Sequence, residues 1–149
     1  MSALTPSHRV ATVRPVEEAE ADPKGKVAAI FADIKATKKI DFVPLMWRTL
    51  ATSPLLLESV WTNLKTLMHP EAVGREARLD ARTREIIALA VSATNACPYC
   101  TNSHTAALRK QGVDDETLGE IMAIVGLFNM TNSLANGYQI EPDVLPPVE

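Results

Sequence analysis

Cysteine is nearly absent from this sequence: two residues in 149, at positions 97 and 100. So few exclude a multi-bridge disulfide framework, and a bridge between positions this close shuts too short a loop to add much stability. A surplus of positive charge is missing too. Lys and Arg number 15 against 18 Asp and Glu, for a net charge of -3. The basic residues are scattered, so no phosphate-binding footprint forms and nucleic acid is not an expected partner. No uninterrupted apolar run approaches the roughly 18–20 residues of a membrane span. The N-terminal stretch MSALTPSHRVATVRPVEEAEAD lacks the apolar segment of a secretory signal. These absences predict a soluble, cytoplasmic chain with no membrane partner. Alternation of β-branched residues is also lacking, which predicts an all-α fold, and neither an internal repeat nor a low-complexity tract is present.

What is present is enough for one globular domain with a real core, at 46% hydrophobic and 22% charged residues. Residues 1–22, with prolines and the acidic cluster Glu17, Glu18, Glu20 and Asp22, read as an N-terminal arm able to wrap a neighbouring subunit. A helical core follows over 23–138. Asp22-Pro23 reads as a cap plus first-turn proline for a helix over 23–36, whose apolar face is Val27, Ile30, Phe31 and Ile34. A short helix is predicted over 43–52. Ser53-Pro54 opens another over 54–69, carrying Leu57, Val60, Trp61, Leu64 and Met68 and stopped by Pro70. The segment 80–94 is apolar on every side from Ile86 to Val91, as in a helix at the centre of a domain. Asn95-Ala96-Cys97-Pro98 breaks it and starts a helix that ends at Gln111-Gly112. Asp114 caps a last helix over 115–137, and residues 139–149 form an extended tail.

The most informative pattern is Glu85-x11-Cys97-x2-Cys100-x3-His104. With Cys97 as N-cap and Pro98 as first helical residue, Cys97, Cys100 and His104 fall on one helix face. A cysteine at a helix N-terminus meets unpaired N–H groups and the positive end of the dipole, which favours its thiolate. The dipole contributes only about 0.3–1 kcal/mol, whereas one pKa unit corresponds to about 1.4 kcal/mol. A further partner is therefore needed. His104, at i+4 from Cys100, is such a partner, as base or as imidazolium. Glu85 can orient that ring or take its proton through a water. A carboxylate leading into a wholly apolar run is otherwise oddly placed, since burying it is costly unless something compensates.

Each residue alone has a plainer reading. A CxxC serves zinc sites as well as redox sites, but a closed structural zinc site wants four ligands, and His69 would have to be the fourth. A single histidine is usually a surface or core residue, and Glu85 could simply pair with Arg82 or Arg84. The polar stripe Asn129, Asn132, Ser133 and Asn136 suits a solvated or subunit-facing helix face better than a thiol pocket. Trp47, Trp61 and Met68 read as core or subunit-contact residues, and Gly119 and Gly126 as places for close helix approach. The four-residue combination, however, is the equipment of a dithiol redox centre.

From about Pro23 to Tyr138, and most specifically in Glu-x11-Cys-x2-Cys-x3-His, the chain resembles the AhpD-like alkylhydroperoxidases of the carboxymuconolactone decarboxylase-like superfamily. The resemblance implies an all-α fold and assembly as a trimer or hexamer. It implies a peroxidatic Cys100, oxidised by a hydroperoxide to a sulfenic acid, with Cys97 as resolving thiol and Glu85 and His104 as proton relay. An external dithiol of lipoyl or thioredoxin-like type would restore the pair. No cofactor and no metal are implied. The cap argument makes Cys97 the more acidic thiol, while the resemblance and the proximity of His104 favour Cys100 as the attacking one. Some members carry a histidine between the cysteines where this chain has Tyr99. The decarboxylase branch typically lacks the cysteine pair, so lactone chemistry is not implied.

Two further readings are a redox sensor or disulfide-reductase-like protein without efficient peroxide turnover, and a zinc-binding module. Apolar faces on the helices over 23–36, 54–69, 80–94 and 115–137 exceed what one small layer covers. A homo-oligomer is therefore predicted, with Trp61, Leu64, Met68, Leu127 or Phe128 among its contacts.

Overall fold

The structure, a computed structural model, describes residues 12–147. Its described residues form six α-helices and two short 3-10 turns, with no strand, so the protein is all-α. The helices are α1 (Lys26–Lys38), α2 (Leu45–Leu50), α3 (Pro54–Met68), α4 (Ala81–Thr94), α5 (Pro98–Lys110) and α6 (Asp115–Gly137). The chain divides into two compact units, the first ending at Ala77 and the second beginning at Arg78.

The first unit packs α1, α2 and α3 around Phe31, Ile34, Val43, Trp47, Leu57 and Trp61. Trp47 and Trp61 meet edge to face with centroids 5.1 Å apart, a favoured geometry for aromatic quadrupoles. A buried indole N–H needs an acceptor, and Trp61 Nε1 donates to Asp33 Oδ2 at 2.6 Å. Lys65 Nζ donates to the same carboxylate at 2.7 Å. Burial pushes the Asp33 carboxyl up, but the hydrogen bonds from Lys65 and Trp61 outweigh it and hold the group below its ordinary value.

Several boundaries differ from the sequence expectation. Asp22-Pro23 does not cap α1: the Asp22 side chain accepts the Lys24 N–H at 3.0 Å, and Gly25 N donates to Asp22 O at 2.8 Å. The aspartate thus builds a local turn, and the helix begins after Gly25. Helix α2 is shorter than 43–52 because Val43 is held outside it, its N–H donated to Glu18 Oε1 at 2.7 Å. Lys35 Nζ donates to the other Glu18 oxygen at 2.7 Å, and mainly through this bond keeps the carboxyl below its usual range. Val16 N donates to Arg48 O at 2.9 Å, and Val16 and Ala21 join the core of the first unit. The described end of the expected arm therefore packs on its own chain, and residues 1–11 lie outside the described residues.

In the second unit α4, α5 and α6 surround Leu89, Leu108, Val113 and Ile121, with Ile86 and Leu118 packed against them. Two of the helices start at aspartate caps, one expected at Asp114 and one at Asp80 that the sequence reading did not name. Asp80 accepts the Thr83 N–H at 2.9 Å and Asp114 the Thr117 N–H at 2.8 Å. The expectation that α4 is covered all round fails. Leu89 is fully buried, but Ile87 and Val91 on the other face are 48% and 55% exposed. On α6 Ile121 is buried while Leu127 and Phe128, expected among the open positions, are 50% and 56% exposed. Helix α6 is also long and apolar enough, by length and composition, to cross a membrane. Its polar stripe from Asn129 to Asn136 interrupts the apolar run, which is why a search for unbroken runs passes over it.

Candidate functional site

The site is built at the junction of α4 and α5. At the end of α4, Cys97 N donates to Ser92 O at 3.0 Å and Ala96 N to Ala93 O at 3.2 Å. This is the pattern of a helix closed by a left-handed residue. That residue is Ala96, with φ of 50°, a conformation that glycine adopts without the steric cost of a Cβ. Ser92 is buried, its hydroxyl turned back to Ala88 O at 2.6 Å. The buckle delivers Cys97 in an extended conformation as the N-cap of α5.

Pro98 follows as first helical residue, with no N–H to satisfy. The Cys100 N–H points back and donates to Cys97 Sγ at 3.3 Å, so the sulfur does the work usually done by a capping oxygen. Cys97 and Cys100 are joined as a disulfide, with Cα atoms 5.3 Å apart, and both residues are half-buried. Tyr99, between them, is 43% exposed.

His104 lies one turn beyond Cys100 on α5, and its Nδ1 is 2.7 Å from Glu85 Oε2 on α4. An ionised carboxylate only accepts, so Nδ1 carries the hydrogen and the neutral ring presents a lone pair at Nε2. The two side chains are 24% and 16% exposed. Burial of Glu85 thus has its compensating partner in His104. Arg82 instead reaches Gln111 O at 3.0 Å, and Arg84 reaches Leu79 O at 2.5 Å. All four residues singled out from the sequence converge on the α4–α5 hairpin.

The polar and aromatic candidates fall where their plainer readings put them, whereas Gly119 and Gly126 have nothing within 4 Å of where a Cβ would stand, so the expected close helix approach is not found among the described residues. Asn132, Ser133 and Asn136 are exposed, and Ser133 bonds within its own helix, to Asn129 O at 2.8 Å. Trp47 and Trp61 are core residues. Among the described residues no group of three or more His, Cys, Asp or Glu side chains is placed to hold a metal ion. Sequence reasoning missed Ser92 and Ala96, which fix the backbone of Cys97. The only signal was the helix break at Asn95-Ala96.

Chemically, the two sulfurs have different sources of support for a negative charge. Cys97 has the backbone N–H of Cys100. His104, itself held by Glu85, stands one helical turn beyond Cys100 on α5.

Comparison with known proteins agrees with this architecture. The carboxymuconolactone decarboxylase family profile matches residues 64–140. An alkyl hydroperoxide reductase AhpD of Streptomyces coelicolor is 29% identical over 119 residues, covering 79% of this chain and 66% of that protein. An alkyl hydroperoxide reductase AhpD of Streptomyces avermitilis is 46% identical over 76 residues, covering 51% of this chain and 42% of its own length. The chain thus spans two thirds or less of these curated relatives. The crystal structure of an alkylhydroperoxidase AhpD core from Rhodospirillum rubrum superposes with a TM-score of 0.80 at 45% identity, over 90% of this chain and 95% of that one. With half of its length under the family profile and this fold in common, the chain belongs to the carboxymuconolactone decarboxylase family, among its AhpD-like members.

Proposed function

We propose that the protein is a cofactor-independent thiol peroxidase that reduces organic hydroperoxides through Cys100 and Cys97. The observation that carries this reading is a bonded cysteine pair at a helix N-terminus, followed one turn on by an imidazole held at 2.7 Å by a carboxylate. The names of the AhpD relatives point the same way.

In the reduced protein His104, oriented by Glu85, takes the proton of Cys100. The Cys100 thiolate attacks the terminal peroxide oxygen: an S–O bond forms, the O–O bond breaks, and the departing alkoxide takes the proton from the imidazolium as an alcohol. Cys97 then attacks the sulfur of the Cys100 sulfenic acid. The S–S bond forms, and the hydroxide expelled is protonated to water. An external dithiol returns the two electrons.

A redox sensor with the same pair would be oxidised once and stop. Steady-state peroxide consumption with dihydrolipoamide, a reduced thioredoxin or dithiothreitol as donor separates the two. The reading expects turnover that disappears in Cys100→Ser, and stoichiometric oxidation without turnover overturns it.

The working unit in this reading is a cytoplasmic homo-oligomer, a trimer or a hexamer. The half-exposed apolar residues Ile87 and Val91 on α4 and Leu127 and Phe128 on α6 support it, since large apolar side chains left open to water favour association.

A further inference from the structure

We propose that Cys97 is the sulfur that carries the negative charge in re-reduction, so that the external thiol attacks Cys100 and the mixed disulfide forms there. The inference rests on the dithiol reading above and goes beyond it by assigning the entry point of the reductant. In the usual CxxC arrangement at a helix N-terminus the first cysteine is the one attacked. Here two features bear on that order: the amide at Cys97 supports the leaving sulfur, and the placement of His104 beyond Cys100 reverses it.

The first is the leaving group. A disulfide breaks toward the sulfur that better holds the electron pair. The Cys100 N–H donates to Cys97 Sγ at 3.3 Å even in the disulfide. Pro98 offers no N–H, so this amide is a donor of the first turn already aimed at the sulfur. The backbone of Cys97 is fixed by its own bond to Ser92 O at 3.0 Å, so the sulfur meets that donor without reorganisation when the bond breaks.

The second is the position of the base. His104 is at i+4 from Cys100, on the same face of α5, with its Nδ1 occupied by Glu85 at 2.7 Å and Nε2 left to handle a proton. An incoming thiol approaching Cys100 loses its proton to His104. Its thiolate then attacks Cys100 Sγ, a new S–S bond forms, and the Cys97–Cys100 bond breaks with the electron pair on Cys97. The second thiol of the donor passes its proton to the Cys97 thiolate and attacks the donor's own sulfur in the mixed disulfide. That step expels Cys100, which takes the proton back from the imidazolium. The donor leaves as a cyclic disulfide and the protein holds two reduced sulfurs.

The test uses the oxidised wild-type chain and 2-mercaptoethanol, a monothiol that cannot cyclise. After brief exposure the reaction is quenched with acid, free thiols are capped with a maleimide, and tandem mass spectrometry locates both groups. The proposal expects mercaptoethanol on Cys100 and maleimide on Cys97. Mercaptoethanol on Cys97, or spread evenly over both, overturns it. If the mixed disulfide is too short-lived to trap, iodoacetamide labelling of the reduced chain against pH decides. Cys97 is expected to reach half-maximal alkylation at a lower pH than Cys100, and the reverse order overturns the proposal. Neither measurement involves a peroxide. A chain that gives the expected adduct but no peroxide turnover would lose the peroxidase reading and keep this one.

Discussion

His104 on α5 and Glu85 on α4 are bonded at 2.7 Å across the hairpin whose turn carries the cysteine pair. The bond fixes the ring by a carboxylate that is itself mostly shielded from water. The carboxylate therefore sets both the tautomer and the direction of Nε2, and it stabilises an imidazolium if one forms.

A shared role predicts non-additive kinetics. His104→Asn lowers kcat/KM for an organic hydroperoxide by about 10²-fold or more, the usual worth of a positioned acid–base group. Glu85→Gln keeps a hydrogen-bond acceptor but removes the charge, and costs less. The double variant falls close to His104→Asn alone, as for residues that act as a unit. Losses that simply multiply would mean that the two residues work separately.

Ala96 occupies a conformation that favours glycine, at φ of 50°. Ala96→Gly should therefore stabilise the fold by about 0.5–1 kcal/mol, seen as a rise of a few degrees in Tm. Ala96→Val, with a β-branched side chain in the left-handed region, should lower Tm and loosen the Cys97–Ser92 bond. A fall in Tm for the glycine variant contradicts the buckle at this residue.

Asp33 predicts how the first unit responds to acid. Its carboxyl is held below the ordinary value in the folded chain, so unfolding raises its pKa. The stabilisation is fully present above the unfolded value, about 3.9, and is lost as pH falls through the lower folded one. Asp33→Asn should flatten the acid limb of a stability-against-pH curve. Asp33→Ala should cost about 1–3 kcal/mol by stranding the buried Trp61 N–H. An unchanged acid limb in Asp33→Asn would remove the hydrogen-bonded carboxylate from the account.

Assembly is read from mass. The chain is 16.2 kDa, and light scattering coupled to gel filtration should return a multiple of it. Phe128→Asp, placing a charge on an already exposed position, should lower that mass while leaving the helical content unchanged. A wild-type monomer with full peroxide turnover would refute the assembly.

Much of this was legible in the sequence where a short-range rule governs. Asp114, Pro54 and Pro98 mark helix starts because capping and ring closure act within one turn. Helical phase and the cost of a carboxylate beside an apolar run made His104 one candidate partner for Glu85, beside Arg82 and Arg84, and the structure selects it. Asp22-Pro23 misled because aspartate can cap a helix or close a turn, and the choice rests on contacts made elsewhere. The Asp33–Trp61–Lys65 cluster joins two helices at a relative position no local pattern encodes. The open face at Ile87 went unforeseen, since periodicity shows that a side chain is apolar but not what covers it, whereas the open positions Leu127 and Phe128 were among those expected.

The central claim is that one hydroperoxide molecule is consumed by the two sulfurs of a single chain. Fully reduced protein, mixed anaerobically with one equivalent of cumene hydroperoxide, is digested and mapped by mass spectrometry alongside a thiol titration. The account predicts loss of both thiols per chain, a Cys97–Cys100 link within one peptide, and one cumyl alcohol released per chain. Intact thiols after prolonged exposure would contradict it.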